Sequence, residues 1–161
     1  MKTIATALLL LAASCGAADF DITRQIPSET LPAAPVALPG EAPQAIDIPL
    51  HQTLDASSTG IVNSIYLTDL YFTASSGDWS FLQSIDIYIS SVMKDSTLPQ
   101  IVVASASGPG ATTELDFTPT ANINLVPYIN EGAQLTASAI GTPPSQAVTF
   151  DGQLTLHVHP L

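Results

Sequence analysis

Apolar residues recur at every second position through much of this chain. Ile85, Ile87 and Ile89 alternate with polar neighbours, as do Leu135, Ala137 and Ala139. The same alternation runs through Val148 and Phe150, then Leu154, Leu156 and Val158. A period of two puts one set of side chains on one face of an extended strand, so each such segment predicts a strand with one buried and one wet face. Strands are expected at 46–50, 61–73, 85–91, 101–106, 113–117, 123–126, 133–140 and 148–158. Gly, Pro, Ser and Asp punctuate the gaps at 53–60, 75–78, 107–111 and 141–146. No window sustains a helical period. Many short strands at regular spacing define an all-β chain closed as a sandwich or barrel.

Two places break the rhythm and a third could have. In the 61–73 segment, Ile65 and Leu67 share one parity while Leu70 and Phe72 share the other. A switch near Asp69 calls for a bulge or a strand that changes sheets. Trp79-Ser80-Phe81-Leu82 does not alternate and reads as a tight turn or a single helical turn, with Trp79 plugging the core beneath it and Tyr128, beside Pro127, in a similar corner role. Asp151-Gly152 has the composition of a hairpin turn, yet the alternation continues across it, which favours one long bulged strand. Ahead of the body, Phe20, Ile22, Arg24 and Ile26 alternate as a short strand. Pro27, Pro32, Pro35, Pro39 and Pro43 follow and forbid helix or central strand, so 27–43 reads as an extended spacer or a bridge between two sheets. The strand spacing of the body resembles Ig-like and other exported β-sandwich domains. That likeness implies a single antiparallel sandwich of Ig-like or Greek-key type over 46–161, and licenses no function.

The first residues carry a different pattern. Lys2 precedes an apolar run from Ile4 to Ala13, which ends in Ser14-Cys15-Gly16-Ala17-Ala18 before Asp19. A positive charge, a short apolar core and small residues make an export signal. The run is far shorter than the roughly 20 apolar residues a membrane-crossing helix needs. Leu11-Ala12-Ala13-Ser14-Cys15 resembles the lipobox of bacterial lipoproteins, with Ala12 where the commonest form has Leu. The resemblance implies cleavage before Cys15, lipidation of Cys15, and anchoring in the bacterial cell envelope. Gly16 rather than Asp after the cysteine resembles sorting to the outer membrane rather than the inner. The competing reading is cleavage after Ala18, which releases a soluble secreted protein. The expected organisation is a signal peptide over 1–14, a lipidated N-terminus with a short strand and Pro-rich spacer over 15–45, and the sandwich over 46–161.

Charge and cysteine content narrow the partners. Cys15 is the only cysteine, so no intramolecular disulfide can form. The formal net charge is −11. Beyond the signal, 14 acidic residues face only Arg24 and Lys94 as formal cations. Such a field repels phosphate, which excludes nucleic acid as a partner and disfavours anionic headgroups. The hydrophobic fraction of 46% supports a packed core. A membrane reached through lipidated Cys15, with a protein or glycan contact, is the expected setting.

Chemistry-bearing patterns are sparse. His157 and His159 lie two apart on the polar face of the last strand, so both imidazoles could address one metal. The sequence offers no third ligand at a recognisable spacing, and the pair reads as exposed histidines, with no cofactor expected. Tyr66 and Tyr88 have polar parity on strands read as neighbours, and side by side they would make a stacking platform for a sugar or apolar ligand, or a cross-strand pair. Glu114 and Asp116 share a strand face without an evident pocket. No Gly-x-Ser-x-Gly elbow occurs, and Gly108-Pro109-Gly110 lacks the amide and the lysine that a phosphate cradle uses. The reading is a non-catalytic envelope protein with a structural or protein-contact role, or alternatively a carbohydrate- or small-ligand-binding module.

Overall fold

The computed structural model describes residues 18–34, 42–55 and 62–161. The export signal and Cys15 lie outside them. Among the described residues nine strands and one short helix follow in chain order: β1 (Phe20–Leu31), β2 (Gln44–Leu54), β3 (Val62–Ser76), β4 (Leu82–Ser91), β5 (Ile101–Ser107), β6 (Glu114–Asp116), β7 (Thr118–Pro119), α1 (Val126–Asn130), β8 (Ala133–Gly141) and β9 (Val148–Pro160). One sheet has the order β1-β9-β3-β6 and the other β2-β8-β4-β5-β7, with every pairing antiparallel. The antiparallel sandwich expected from the strand spacing is therefore what the chain forms. Its wiring is specific. β1 pairs with β9, β2 with β8, β3 with β6 and β4 with β5, so the chain is one long ribbon rolled into two sheets. That is a jelly roll, a wiring that sequence spacing does not distinguish from an Ig-like one.

The inward faces interlock into one core. Ile85, Ile87 and Ile89 on β4 are fully buried, as are Phe150, Leu154 and Val158 on β9, with Leu156 and Val148 nearly so. Trp79 lies beneath the 77–81 turn, wholly buried, and its indole N–H donates to the Thr113 carbonyl at 3.1 Å. Its ring packs against Phe72, Phe81 and Phe150 at centroid distances of 5.3–6.1 Å. The turn closes through the Leu82 amide donating to the Trp79 carbonyl at 3.0 Å. Tyr128 fills the corresponding corner, its hydroxyl donating to the Pro99 carbonyl at 2.8 Å.

The parity switch in β3 is a bulge. Leu67 faces Leu156 and Asp69 faces Thr155, so Thr68 is the extra residue. Its hydroxyl donates to the Thr155 carbonyl at 3.1 Å. One inserted residue lets Ile65, Leu67, Leu70 and Phe72 all reach the same core. β9 runs unbroken through Asp151-Gly152, as the alternation implied. Its irregularities lie on the neighbours, because β1 spends Pro27 and Ser28 against the single Asp151. Gly152 pairs with Ile26 on one side and Phe72 on the other. A Cβ there would lie 2.5 Å from both the Phe72 ring and the Tyr71 carbonyl oxygen. The glycine thus permits close approach of β3 rather than a turn.

Other expectations change. No strand forms at 123–126. Val126–Asn130 is helical, with Pro127 in the first turn, where its fixed φ and missing amide are tolerated. The Asn124 side chain accepts from the Ile65 and Val126 amides, both at 3.1 Å, tying this segment to β3. The strand expected over 113–117 forms as the short β6 in one sheet, after which the chain crosses at buried Phe117 to β7 in the other. The strand expected at Phe20–Ile26 runs on to Leu31 and is paired with β9 along its length. The first sheet thus draws on residues ahead of Ile46, and the Pro-rich segment that follows β1 links one sheet to the other. Pro27 and Pro49 both sit in edge strands, where a missing amide breaks no central ladder.

Candidate functional site

The outer face of the β1-β9-β3 sheet carries a ladder of matched polar pairs. Gln25 donates from its amide to Gln153 at 2.7 Å, and the Thr30 and Thr149 hydroxyls lie 3.1 Å apart. At the far end of the ladder the pairs become chemically distinct. Asp21 on β1 stands directly across from His157 on β9, and Tyr66 on β3 stands across from His157 on the other side. His159, one pleat on, faces the same way. Asp19, in the residues leading into β1, reaches it.

The distances define a compact group. His157 Nδ1 lies 2.6 Å from Asp21 Oδ1, and His157 Nε2 lies 3.8 Å from Asp19 Oδ2. His159 Nδ1 lies 2.9 Å from the same Asp19 Oδ2. The two imidazoles meet edge to face with centroids 4.6 Å apart, and Tyr66 packs edge-on to His159 at 5.7 Å. Asp19, His157 and His159 each offer one ligand atom within 4.8 Å of the others. Both histidine side chains are about one-third exposed, at 32% and 36%.

Sequence parity therefore placed His157 and His159 correctly on the polar face, and side by side. It missed the carboxylates that join them, because Asp19 and Asp21 come from the opposite end of the described chain. Only the β1–β9 pairing brings them together. Tyr66 and Tyr88 do not form a platform: Tyr66 is on β3 in one sheet and Tyr88 on β4 in the other. Their strands are consecutive in sequence, but the rolled ribbon sends β3 and β4 to opposite sheets.

A second feature lies where the β4–β5 edge of one sheet meets β6 of the other. A cleft of about 580 Å³ is lined by Ser84, Asp86, Ser105, Glu114, Asp116 and Thr118, among others. Glu114 and Asp116, which showed no pocket in sequence, border it. Inside, the Ser105 hydroxyl donates to Asp86 at 2.6 Å. Elsewhere two half-buried carboxylates are held below their usual range. Asp78 is stabilised as the anion by the side chain and amide of Ser80, and Glu131 by the hydroxyls of Ser91 and Ser96. Burial pushes the Tyr128 phenol up.

Together these features define an antiparallel jelly-roll sandwich with a histidine–carboxylate group at one end of its outer face and a polar cleft along one edge. No protein-family model matches the chain, and no curated protein matches it. Among solved structures it is similar to the decameric BFDV capsid protein, at 13% identity and a TM-score of 0.41, over 88% of this chain and 96% of that one.

Proposed function

We propose that the chain is a non-catalytic, exported β-sandwich of the bacterial cell envelope, anchored through lipidated Cys15 and acting by structure or by protein contact. The observation that carries this reading is the short apolar run that ends at the chain's only cysteine. Each buried CH₂ of an acyl chain is worth about 0.8 kcal/mol, so a doubly or triply acylated Cys15 would hold firmly to a bilayer. No helix among the described residues is long and apolar enough to cross a membrane. The anchor would join the body at β1 without an intervening linker. From Cys15 to Phe20 the chain can reach no further than about 18 Å when fully extended. The sandwich would thus sit close against the lipid surface. Fractionation tests the anchor. Cys15→Ser should move the protein from the membrane fraction to the soluble exported fraction. A wild-type protein that is already soluble and begins at Asp19 overturns the reading.

The polar cleft favours a second reading, a module for a carbohydrate or other small polar ligand. Asp86, Glu114, Asp116 and the neighbouring hydroxyls offer hydrogen-bond acceptors and donors of the kind sugar hydroxyls use. A glycan array separates the two: specific binding abolished by Asp116→Ala supports the module, and an empty array with the wild-type protein removes it.

A further inference from the structure

We propose that His157, His159 and Asp19 form a binding site for a divalent transition metal of the zinc class, with Asp21 as its positioning residue. The argument begins with the strand. Residues two apart on β9 project to the same side, so both imidazoles rise from one edge of the ladder. Asp19 brings a carboxylate oxygen to 2.9 Å from His159 Nδ1 and 3.8 Å from His157 Nε2. Tetrahedral zinc with nitrogen and oxygen ligands at about 2.0–2.1 Å separates neighbouring ligand atoms by roughly 3.3 Å. The two distances to Asp19 straddle that spacing and all three ligand atoms lie within 4.8 Å of one another, so side-chain rotation that draws the two imidazole nitrogens together brings the three atoms onto one ion.

The fourth residue is the independent observation. Asp21 lies 2.6 Å from Nδ1 of His157, whereas the Asp19 carboxylate stands near the other ring nitrogen, Nε2. A carboxylate there takes the Nδ1–H hydrogen bond. That fixes the tautomer in which Nε2, the nitrogen 3.8 Å from Asp19 Oδ2, carries the lone pair. Metal-binding histidines are oriented by such an outer carboxylate, which also raises their basicity. At 3.8 Å, Nε2 and Asp19 Oδ2 are too far apart for a hydrogen bond, and a cation between them would satisfy both. Tyr66 packs edge-on against His159 and limits its rotation. Two imidazoles and one carboxylate select zinc, copper or nickel over calcium or magnesium, which prefer oxygen alone. Three protein ligands at a partly exposed site leave water to complete the shell. The ion would bind only when β1 and β9 are paired, so it acts as a clasp between the opposite ends of the described chain.

Calorimetric titration of the full chain with zinc chloride tests this, on protein purified in mild detergent without a polyhistidine tag. The expected result is saturable one-to-one binding, accompanied by a rise in melting temperature. His157→Ala, His159→Ala and Asp19→Asn should each weaken binding at least tenfold. Asp21→Asn should weaken it by about 10–100-fold while leaving the stoichiometry at one, as loss of an outer-shell partner does. His51→Ala, on the other sheet, should change nothing. Cobalt in place of zinc should give visible bands that disappear in His157→Ala. These side chains are solvent-facing, so circular dichroism should show every variant folded. No saturable zinc binding by the wild type overturns the proposal. So does stoichiometric binding that survives removal of both histidines, or calcium competing with zinc on equal terms.

Discussion

At the scale of single residues, two neighbours on β9 make opposite predictions. Leu156 is nearly buried and His157 is partly exposed, although their backbones are adjacent. Leu156→Ala should cost about 2–5 kcal/mol, because the cavity it leaves is walled by packed strands. His157→Ala, measured in the presence of chelator, should cost no more than about 1 kcal/mol, the scale of an exposed ion pair. Denaturant melts of both variants check the ranking. Gly152→Ala is a sharper case. A methyl group there must displace the Phe72 ring or the Tyr71 carbonyl. The change should lower the melting temperature by several degrees, whereas Gly108→Ala and Gly110→Ala meet open space and are penalised only through their positive φ. Alternation was enough to read inward and outward positions from the sequence, because period two is imposed by the pleat itself. The reason for a glycine at 152 was not legible, since the ring that requires it belongs to another strand.

At the scale of elements, the sequence showed strands and hid partners. The bulge in β3 was visible as a parity switch because a bulge must leave one. The 123–126 segment misled because a short apolar run has no periodicity of its own, and Pro127 and Asn124 decide its conformation through contacts with β3. β1 teaches the same lesson. Its Pro27 looks like the start of a spacer, yet an edge strand accepts it. A chain beginning at Ile46 would lack β1 and expose the whole outer edge of β9. That truncation should aggregate or fail to fold, as judged by size-exclusion chromatography and circular dichroism, because an uncovered edge is a template for intermolecular pairing. The turn after β4 makes a pH prediction. The Ser91 and Ser96 hydroxyls hold Glu131 in its charged form. A carboxylate with a lowered folded pKa adds stability above the ordinary carboxylate range and loses it as pH falls through the folded value. Ser91→Ala should move the Glu131 titration, followed by NMR, back up toward the usual glutamate value.

At the scale of the whole molecule, the roll is closed by its last strand. β9 lies between β1 and β3, so the first sheet stays split until the final residues arrive. Pairings this distant in sequence slow folding, and formation of the native core is expected on the millisecond-to-second scale typical of β-sandwiches. Stopped-flow tryptophan fluorescence, reporting burial of Trp79, measures it. A chain threaded through a membrane from its leading end could not complete the core until its trailing end had emerged. The same closure brings Asp19 beside His159. The described path from Asp19 to His159 therefore returns nearly to its own start, so an exposed turn can serve as an alternative opening. A permutant joined by a short linker from Leu161 to Asp19, and opened in the 107–112 turn, should refold to the same sandwich. A sandwich whose entry and exit share one corner can also be spliced into a surface loop of another protein without prising that host apart.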